Sequence, residues 1–231
     1  NRTLRNIGEK PVIFDSLQAQ QSILILRQAL QNMGYMHADV KLKTKKRGKK
    51  IAAIYTLYPG EPYFIRDIQY DIQDSVIANV LKNYLQTSSK QKNSKLFGLK
   101  SGDKMTVSQL DEERKRITEI LLDSGYYRFH KDFIQYSVDS AYNDRGVNVV
   151  LHLLKYKAND NASVKLHPRY TVRSVNYLGD TNTDGRFKLR RSVLEKSTAI
   201  RSGHYFNSSQ LQRTYSNFAK MQAVKYTNIS F

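Results

Sequence analysis

The side chains that could do chemistry in this chain are five histidines, one acidic run and one basic run. His37, His130, His152, His167 and His204 are the imidazoles, and none stands in the H-E-x-x-H spacing that puts two ligands on one helix face. With no cysteine in the sequence, thiol chemistry and disulfides are excluded, and a structural zinc site would rest on histidine alone. Serine, aspartate and histidine are all present, but no G-x-S-x-G elbow, dinucleotide fingerprint or phosphate loop frames them. Gly98, Gly102 and Gly203 read as scattered loop or pre-cap glycines. Asp111-Glu112-Glu113 resembles an acid/base pair in type only. The run lies in the first turns of a predicted helix, where carboxylates favour the positive dipole end. Glu112 and Glu113 also stand four and three residues before Arg116, a spacing for ion pairs on a helix surface. The expectation is a protein without catalytic residues, cofactor or metal.

The basic run is Lys45, Lys46, Arg47, Lys49 and Lys50 around Gly48. It reads as a solvated hairpin tip that also discourages edge-to-edge aggregation. A sharper reading is contact with an anionic surface, such as acidic lipid head groups or an acidic partner. The net charge of +18 favours encounter with anionic partners in general. With 40% hydrophobic and 25% charged residues, the composition is that of a folded protein. No apolar run approaches the ~20 residues of a membrane-spanning helix, since Ser22 to Leu30 is broken by Arg27 and Gln28. Residues 1–30 lack the ordered zones of a signal peptide.

The elements that position these residues come in a repeat. Tyr63-Phe64-Ile65-Arg66-Asp67-Ile68-Gln69-Tyr70 aligns with Tyr170-Thr171-Val172-Arg173-Ser174-Val175-Asn176-Tyr177. Its alternation of apolar and polar residues predicts a half-buried strand. The repeated tyrosines read as amphipathic packing residues of a sheet. A second signal marks three helix starts: Asp15-x-x-Gln18, Thr106-x-x-Gln109 and Asn207-x-x-Gln210 have capping-box spacing. Phe14, Met105 and Phe206 precede these caps, and Ala19, Leu110 and Leu211 complete hydrophobic staples. The first two helices share apolar positions, Leu26/Leu30 and Ile117/Leu121, and both end in Gly-Tyr, at Gly34-Tyr35 and Gly125-Tyr126. Glycine there supplies a left-handed C-cap. The third copy departs at Met221-Gln222-Ala223-Val224, with Tyr226 where the glycine would be.

After each Gly-Tyr come two alternating segments. They are His37 to Thr44 with Ile51 to Leu57, and Phe133 to Val138 with Val147 to Leu153. Polar turns join them, Lys45 to Lys50 in one and Asn143-Asp144-Arg145-Gly146 in the other, so both predict hairpins. A further helix is predicted at about Ser75 to Leu85 and again at Phe187 to Lys196. The repeat unit is therefore strand, helix, helix, strand, strand, with the polar stretch Thr87 to Ser94 as an extra loop. Three units follow: residues 1–58 without a first strand, 59–157, and 165–231 stopping inside the second strand. The chain reads as a piece of a longer processed protein.

This tandem order resembles the POTRA (polypeptide-transport-associated) domains of BamA/TamA-type outer-membrane assembly proteins. Leu57-Tyr58-Pro59-Gly60-Glu61-Pro62-Tyr63-Phe64-Ile65-Arg66-Asp67-Ile68 is similar to the family's junction between units. Leu110-Asp111-Glu112-Glu113-Arg114-Lys115-Arg116-Ile117, running to Gly125-Tyr126-Tyr127, looks like its second helix and exit. Gly8-Glu9-Lys10-Pro11-Val12-Ile13-Phe14-Asp15 is similar to a lead-in found in some members. The resemblance implies an α+β fold of tandem β-α-α-β-β modules, each a small three-stranded mixed sheet with two helices on one face.

By the family pattern the exposed edge is the second strand. Here that is Ala38, Asp39, Val40, Lys41, Leu42 and Lys43 in one unit, and Phe133, Ile134, Gln135, Tyr136, Ser137 and Val138 in the next. Such an edge has bare N–H and C=O groups to which an extended segment can add. The implied partners are unfolded outer-membrane proteins, accessory assembly lipoproteins and the protein's own C-terminal β-barrel, outside this chain. The implied location is the periplasm, tethered through that barrel, with no nucleic acid expected. Two alternatives stay open: a basic nucleic-acid-binding tandem of small α+β domains, and the POTRA region of a division or two-partner-secretion protein.

Overall fold

The structure, a computed structural model, describes residues 13–88, 98–140, 145–157, 163–179 and 189–231. Gly8 to Val12, most of the polar loop ending at Ser94, Asn143-Asp144 and Phe187-Lys188 lie outside the described residues. In chain order the elements are α1 (Ser16–Asn32), β1 (Asp39–Arg47), β2 (Lys50–Tyr58), β3 (Phe64–Ile72), α2 (Ser75–Ser88), α3 (Val107–Asp123), β4 (Ile134–Asp139), β5 (Gly146–Leu153), α4 (Arg191–Ser197) and α5 (Ser208–Ala219). The run from β3 to β5 is one complete strand-helix-helix-strand-strand unit. Its sheet has the order β3-β5-β4, while β1 and β2 form a two-stranded sheet. The fold class is α+β with small sheets, as the repeat predicts.

Local chemistry fixes the helix ends. The Asp15 carboxylate accepts from the N–H groups of Leu17 (2.8 Å) and Gln18 (3.3 Å). Thr106 Oγ1 accepts from Gln109 N–H at 3.2 Å, and the Asn207 amide oxygen accepts from Gln210 N–H at 2.8 Å. Each side chain thereby satisfies a backbone donor that the helix itself leaves orphaned. At Thr106 the glutamine does not reciprocate through the backbone, because its Oε1 accepts from the threonine hydroxyl instead. A fourth cap, unforeseen from sequence, is Asp74, which accepts from Val76 N–H (2.9 Å) and Ile77 N–H (3.2 Å) at the start of α2.

The first hairpin is longer than its sequence suggests. Lys45, Lys46 and Arg47 are not loop residues but the end of β1, paired with Ala52, Ile51 and Lys50. Only Gly48 and Lys49 make the turn. Gly48 has φ +60, which fits a type II′ hairpin with glycine at its first central position. The ladder bonds run between backbones, so a run of solvated lysines does not interrupt them. The Arg27 guanidinium on α1 meets the Asp39 carboxylate of β1 at 2.7 Å, and the Tyr55 hydroxyl of β2 donates to the Ala19 carbonyl at 3.2 Å.

Packing divides the chain into two compact units: residues 1–67, 101–109 and 139–148, and residues 68–100, 110–138 and 149–231. In the first, Ala19, Ala38, Val40, Ile65, Met105 and Val147 are buried. Leu26 and Leu30 of α1 are half-buried, and Leu17, Leu24 and Ile25 are exposed. In the second, a cluster joins Ile77 and Leu81 of α2, Ile117, Ile120 and Leu121 of α3, and Ile134, Leu151 and Leu153 of the sheet, with Tyr126 and Phe129. The shared apolar positions of α1 and α3 are thus core in one helix and margin in the other.

The same hydrogen-bonded joint occurs in each unit. In the first, the Gly34 carbonyl accepts from Tyr63 N–H and the Tyr63 carbonyl accepts from Met105 N–H, both at 2.9 Å. Ile65 N–H then donates to the Asp103 carbonyl, and the Ile65 carbonyl accepts from Gly102 N–H, both at 2.8 Å. In the second unit the same four bonds link Gly125, Tyr170, Phe206, Val172, His204 and Gly203 at 2.7 to 2.9 Å. Gly34 and Gly125 have φ +90 and +100, and a Cβ on them would sit 2.3 Å from the Met105 carbonyl oxygen and 3.1 Å from the Tyr205 Cβ. These glycines therefore cap a helix and also let the next repeat approach.

Tyr170 to Tyr177 is a correction to the sequence reading. Among the described residues it forms no strand, and its single bridge pairs Thr171 with Tyr205, where the earlier copy pairs Phe64 with Lys104. A strand needs a ladder of successive pairs, and one bridge does not make one.

Candidate functional site

The sequence singles out the two second strands, and both lie at sheet margins. Among the described residues, β4 has β5 on one side only, and β1 has β2 on one side only. The margins are shorter at their starts than predicted. Ala38 precedes β1, and its N–H closes a turn onto the Tyr35 carbonyl at 3.1 Å. Phe133 closes a 3₁₀ turn (Lys131–Phe133), donating to the His130 carbonyl at 3.1 Å and accepting from Leu154 N–H at 2.8 Å. Both residues spend their backbone N–H on a turn that precedes the strand, at Tyr35 in one and at His130 in the other, so each margin begins one residue later.

β4 is firmly seated from its inner face. Ile134 is fully buried and Tyr136 half-buried against the core, while Gln135, Ser137 and Val138 are exposed. Arg114 lies over the Tyr136 ring at 5.2 Å. Among the described residues the buried Tyr136 hydroxyl has no hydrogen-bond partner, and burial followed by the nearby Glu113 carboxylate pushes its ionisation well above the usual range. On β1, Val40 is buried and Leu42 half-buried, with Lys41 and Lys43 exposed. The Lys41 ammonium stands 5.3 Å from the centre of the Tyr58 ring. The Arg27 side-chain bond holds the Asp39 carboxyl below its ordinary range. Lys45, Lys46, Arg47, Lys49 and Lys50 are exposed at the end of the same ribbon.

Three groups were not legible in the sequence. On the outer face of the middle sheet, His152 Nδ1 meets Asp71 Oδ2 at 2.9 Å and His152 Nε2 meets Ser137 Oγ at 2.9 Å. The order Asp-His-Ser is that of a nucleophilic triad. Hydrolysis also needs donors aimed at a developing oxyanion and a cleft to hold substrate, whereas Ser137 stands exposed on a strand face. The row ties three adjacent strands together across their solvent side.

Glu113, expected on a helix surface, is 3% exposed. It forms a two-bond fork with Arg116, as the spacing predicts, but inside the fold. Gly98 explains why: a Cβ there would lie 2.6 Å from the Glu113 carboxylate. Asp111, the first of the acidic run, pairs instead with Lys115 at 3.0 Å and Lys131 at 3.7 Å.

His167 is 7% exposed and packs among Phe129, Phe133 and Tyr156 with ring centres 4.7 to 5.8 Å apart. Its Nε2 is 2.9 Å from the Leu154 carbonyl oxygen, to which it donates. Burial pushes its pKa below the ordinary value. Among the described residues no group of three acidic or imidazole side chains could hold a metal ion.

The middle unit has the strand-helix-helix-strand-strand order that the sequence repeat predicts. No family model matches the sequence, and no curated protein sequence matches it. Solved structures do. The chain is similar to POTRA domains 3–5 of BamA from Haemophilus influenzae, with 15% identity, 93% of this chain and 74% of that one covered, and a TM-score of 0.46. It is similar to POTRA domains 1–3 of the periplasmic domain of Omp85 from Anabaena, with 13% identity, coverage of 91% and 74%, and a TM-score of 0.31. For BamA from Haemophilus ducreyi lacking POTRA domains 1–3, the identity is 16%, coverage 62% of this chain and 24% of that one, and the TM-score 0.35.

Proposed function

We propose that this chain is a periplasmic scaffold in outer-membrane protein assembly, a binding module rather than an enzyme, that captures extended client segments along β1 and β4. The observation that carries the reading is the position of both strands, each at a sheet margin with a partner on one side. An antiparallel strand directs the N–H and C=O of alternate residues outward. Six residues of β4 therefore offer about six backbone hydrogen bonds to an incoming strand. At roughly 1 kcal/mol net each, reduced by the ordering of the client, capture reaches about 4–6 kcal/mol, a Kd between about 1 mM and tens of micromolar. Such binding reads backbone rather than sequence, which suits a module that must accept many barrel strands and release them. By the same reading, accessory lipoproteins and the protein's own barrel are its stable partners.

Fluorescence anisotropy with a labelled ten-residue barrel-strand peptide tests this. N-methylating alternate residues on one edge of the peptide leaves the other edge able to pair, whereas N-methylating the residues of both edges removes every donor and is expected to abolish binding. Equal affinity for the unmethylated and the fully methylated peptides contradicts strand addition.

A further inference from the structure

Every residue from Lys43 to Ile54 is exposed. This half of the β1–β2 hairpin is a two-stranded ribbon with neither face covered, and it contains six cations and no acid. The pairing Lys43↔Ile54, Lys45↔Ala52 and Arg47↔Lys50 assigns Lys43, Lys45, Arg47 and Lys50 to one face, because side chains alternate along a strand. Along β1 these cations recur every roughly 7 Å. On that face, directly opposite Lys43, lies Ile54, 47% exposed, and on the other face near the turn lies Ile51, 44% exposed.

We propose that this ribbon docks on a bilayer surface containing anionic phospholipid, its cations on the head-group phosphates and Ile54, on the same face, at the acyl boundary. Charge complementarity selects an anionic partner, and the mixture of lysine with exposed branched aliphatic residues selects a lipid surface among anionic ones. A single-stranded nucleic-acid groove would instead present aromatic rings between its cations, and the exposed half of the ribbon has none. The turn favours the same geometry: with two residues and Gly48 at its first position, the tip is narrow and the cations flank it on both strands. This goes beyond client capture and is independent of it, so peptide binding can fail while vesicle binding persists.

The test uses the whole chain and sedimentation with vesicles, either of phosphatidylcholine alone or of equal parts phosphatidylcholine and phosphatidylglycerol. Partition is expected only to the anionic vesicles. Each cation near the surface is worth about fivefold, so Lys43→Gln/Lys45→Gln/Arg47→Gln lowers partition by about a hundredfold. The same charge removed elsewhere, by Arg213→Gln/Lys220→Gln/Lys225→Gln at exposed positions, changes it by less than about threefold. Because the chain has no tryptophan, an Ile54→Trp variant is a clean reporter on the docking face, and its emission is expected to move to shorter wavelength with anionic vesicles. Equal losses in the two triple variants, an unmoved emission, or binding to duplex DNA without binding to vesicles would each overturn the proposal.

Discussion

Replacing Gly34 by alanine isolates the double role of the joint glycine. Two costs are combined at that position. Its φ of +90 is a left-handed conformation that costs an L-residue about 1–2 kcal/mol. In addition, a Cβ would stand 2.3 Å from the Met105 carbonyl oxygen, a backbone atom that cannot swing aside as a side chain does. Relieving that overlap moves Met105, whose N–H donates to the Tyr63 carbonyl while Tyr63 N–H donates to Gly34. Losing both bonds adds about 0.5–1.5 kcal/mol each. The expected total is about 2–5 kcal/mol. Gly60 is the control, with φ +70 and open space around its would-be Cβ, so Gly60→Ala carries the conformational cost alone. Urea unfolding gives the two stabilities, and amide exchange at Tyr63 and Met105 reports the joint directly. Faster exchange at both amides in Gly34→Ala and not in Gly60→Ala is predicted. Equal destabilisation by the two substitutions, with unchanged exchange, would refute the double role.

Other perturbations separate the remaining parts. Asp74→Ala removes the buried cap of α2 and should cost about 1–2 kcal/mol, measured by urea unfolding, with Asp74→Asn retaining most of it. Glu113→Gln leaves the Arg116 guanidinium buried without its counter-charge and should cost about 3–5 kcal/mol; adding Arg116→Gln should recover part of that in a double-mutant cycle. Tyr136→Phe deletes a buried hydroxyl that has no partner, so thermal unfolding should show it neutral or up to about 1–3 kcal/mol more stable. His167 has a folded pKa below its ordinary value of 6.5. The unfolded chain therefore takes up the proton first, so its contribution is intact above pH 6.5 and is lost as pH falls through the folded value. Unfolding midpoints at pH 7.5 and pH 5 should differ less in His167→Phe than in the parent chain.

What the sequence discloses and what it hides follow from the range of the forces involved. The caps at Asp15, Thr106 and Asn207 are legible because a cap is a contract between residues two or three apart. The left-handed glycines at 34 and 125 are legible as helix stops, since only a glycine bears that φ cheaply. Their carbonyls' second partners, Tyr63 and Tyr170, are far along the chain and leave no local mark. The basic hairpin tip misleads because hydrophilic residues read as loop, while a ladder is indifferent to solvated side chains. Conversely, Tyr170 to Tyr177 alternates like a strand but makes a single bridge, at Thr171, among the described residues. Asp71, Ser137 and His152 meet only through the register of three strands, and Glu113 is buried because a glycine fifteen residues earlier leaves room over it. The two margins were legible through resemblance to a fold; their true starting residues depended on turns that alternation does not encode.

The most direct measurement is an amide-resolved NMR titration of the whole chain with an extended, barrel-strand peptide. The account predicts that shifts and new exchange protection fall on alternate residues of Ile134–Asp139 and Asp39–Arg47, with the helices unmoved. Shifts that spare both strands at saturation, or that gather on helix faces instead, would contradict it.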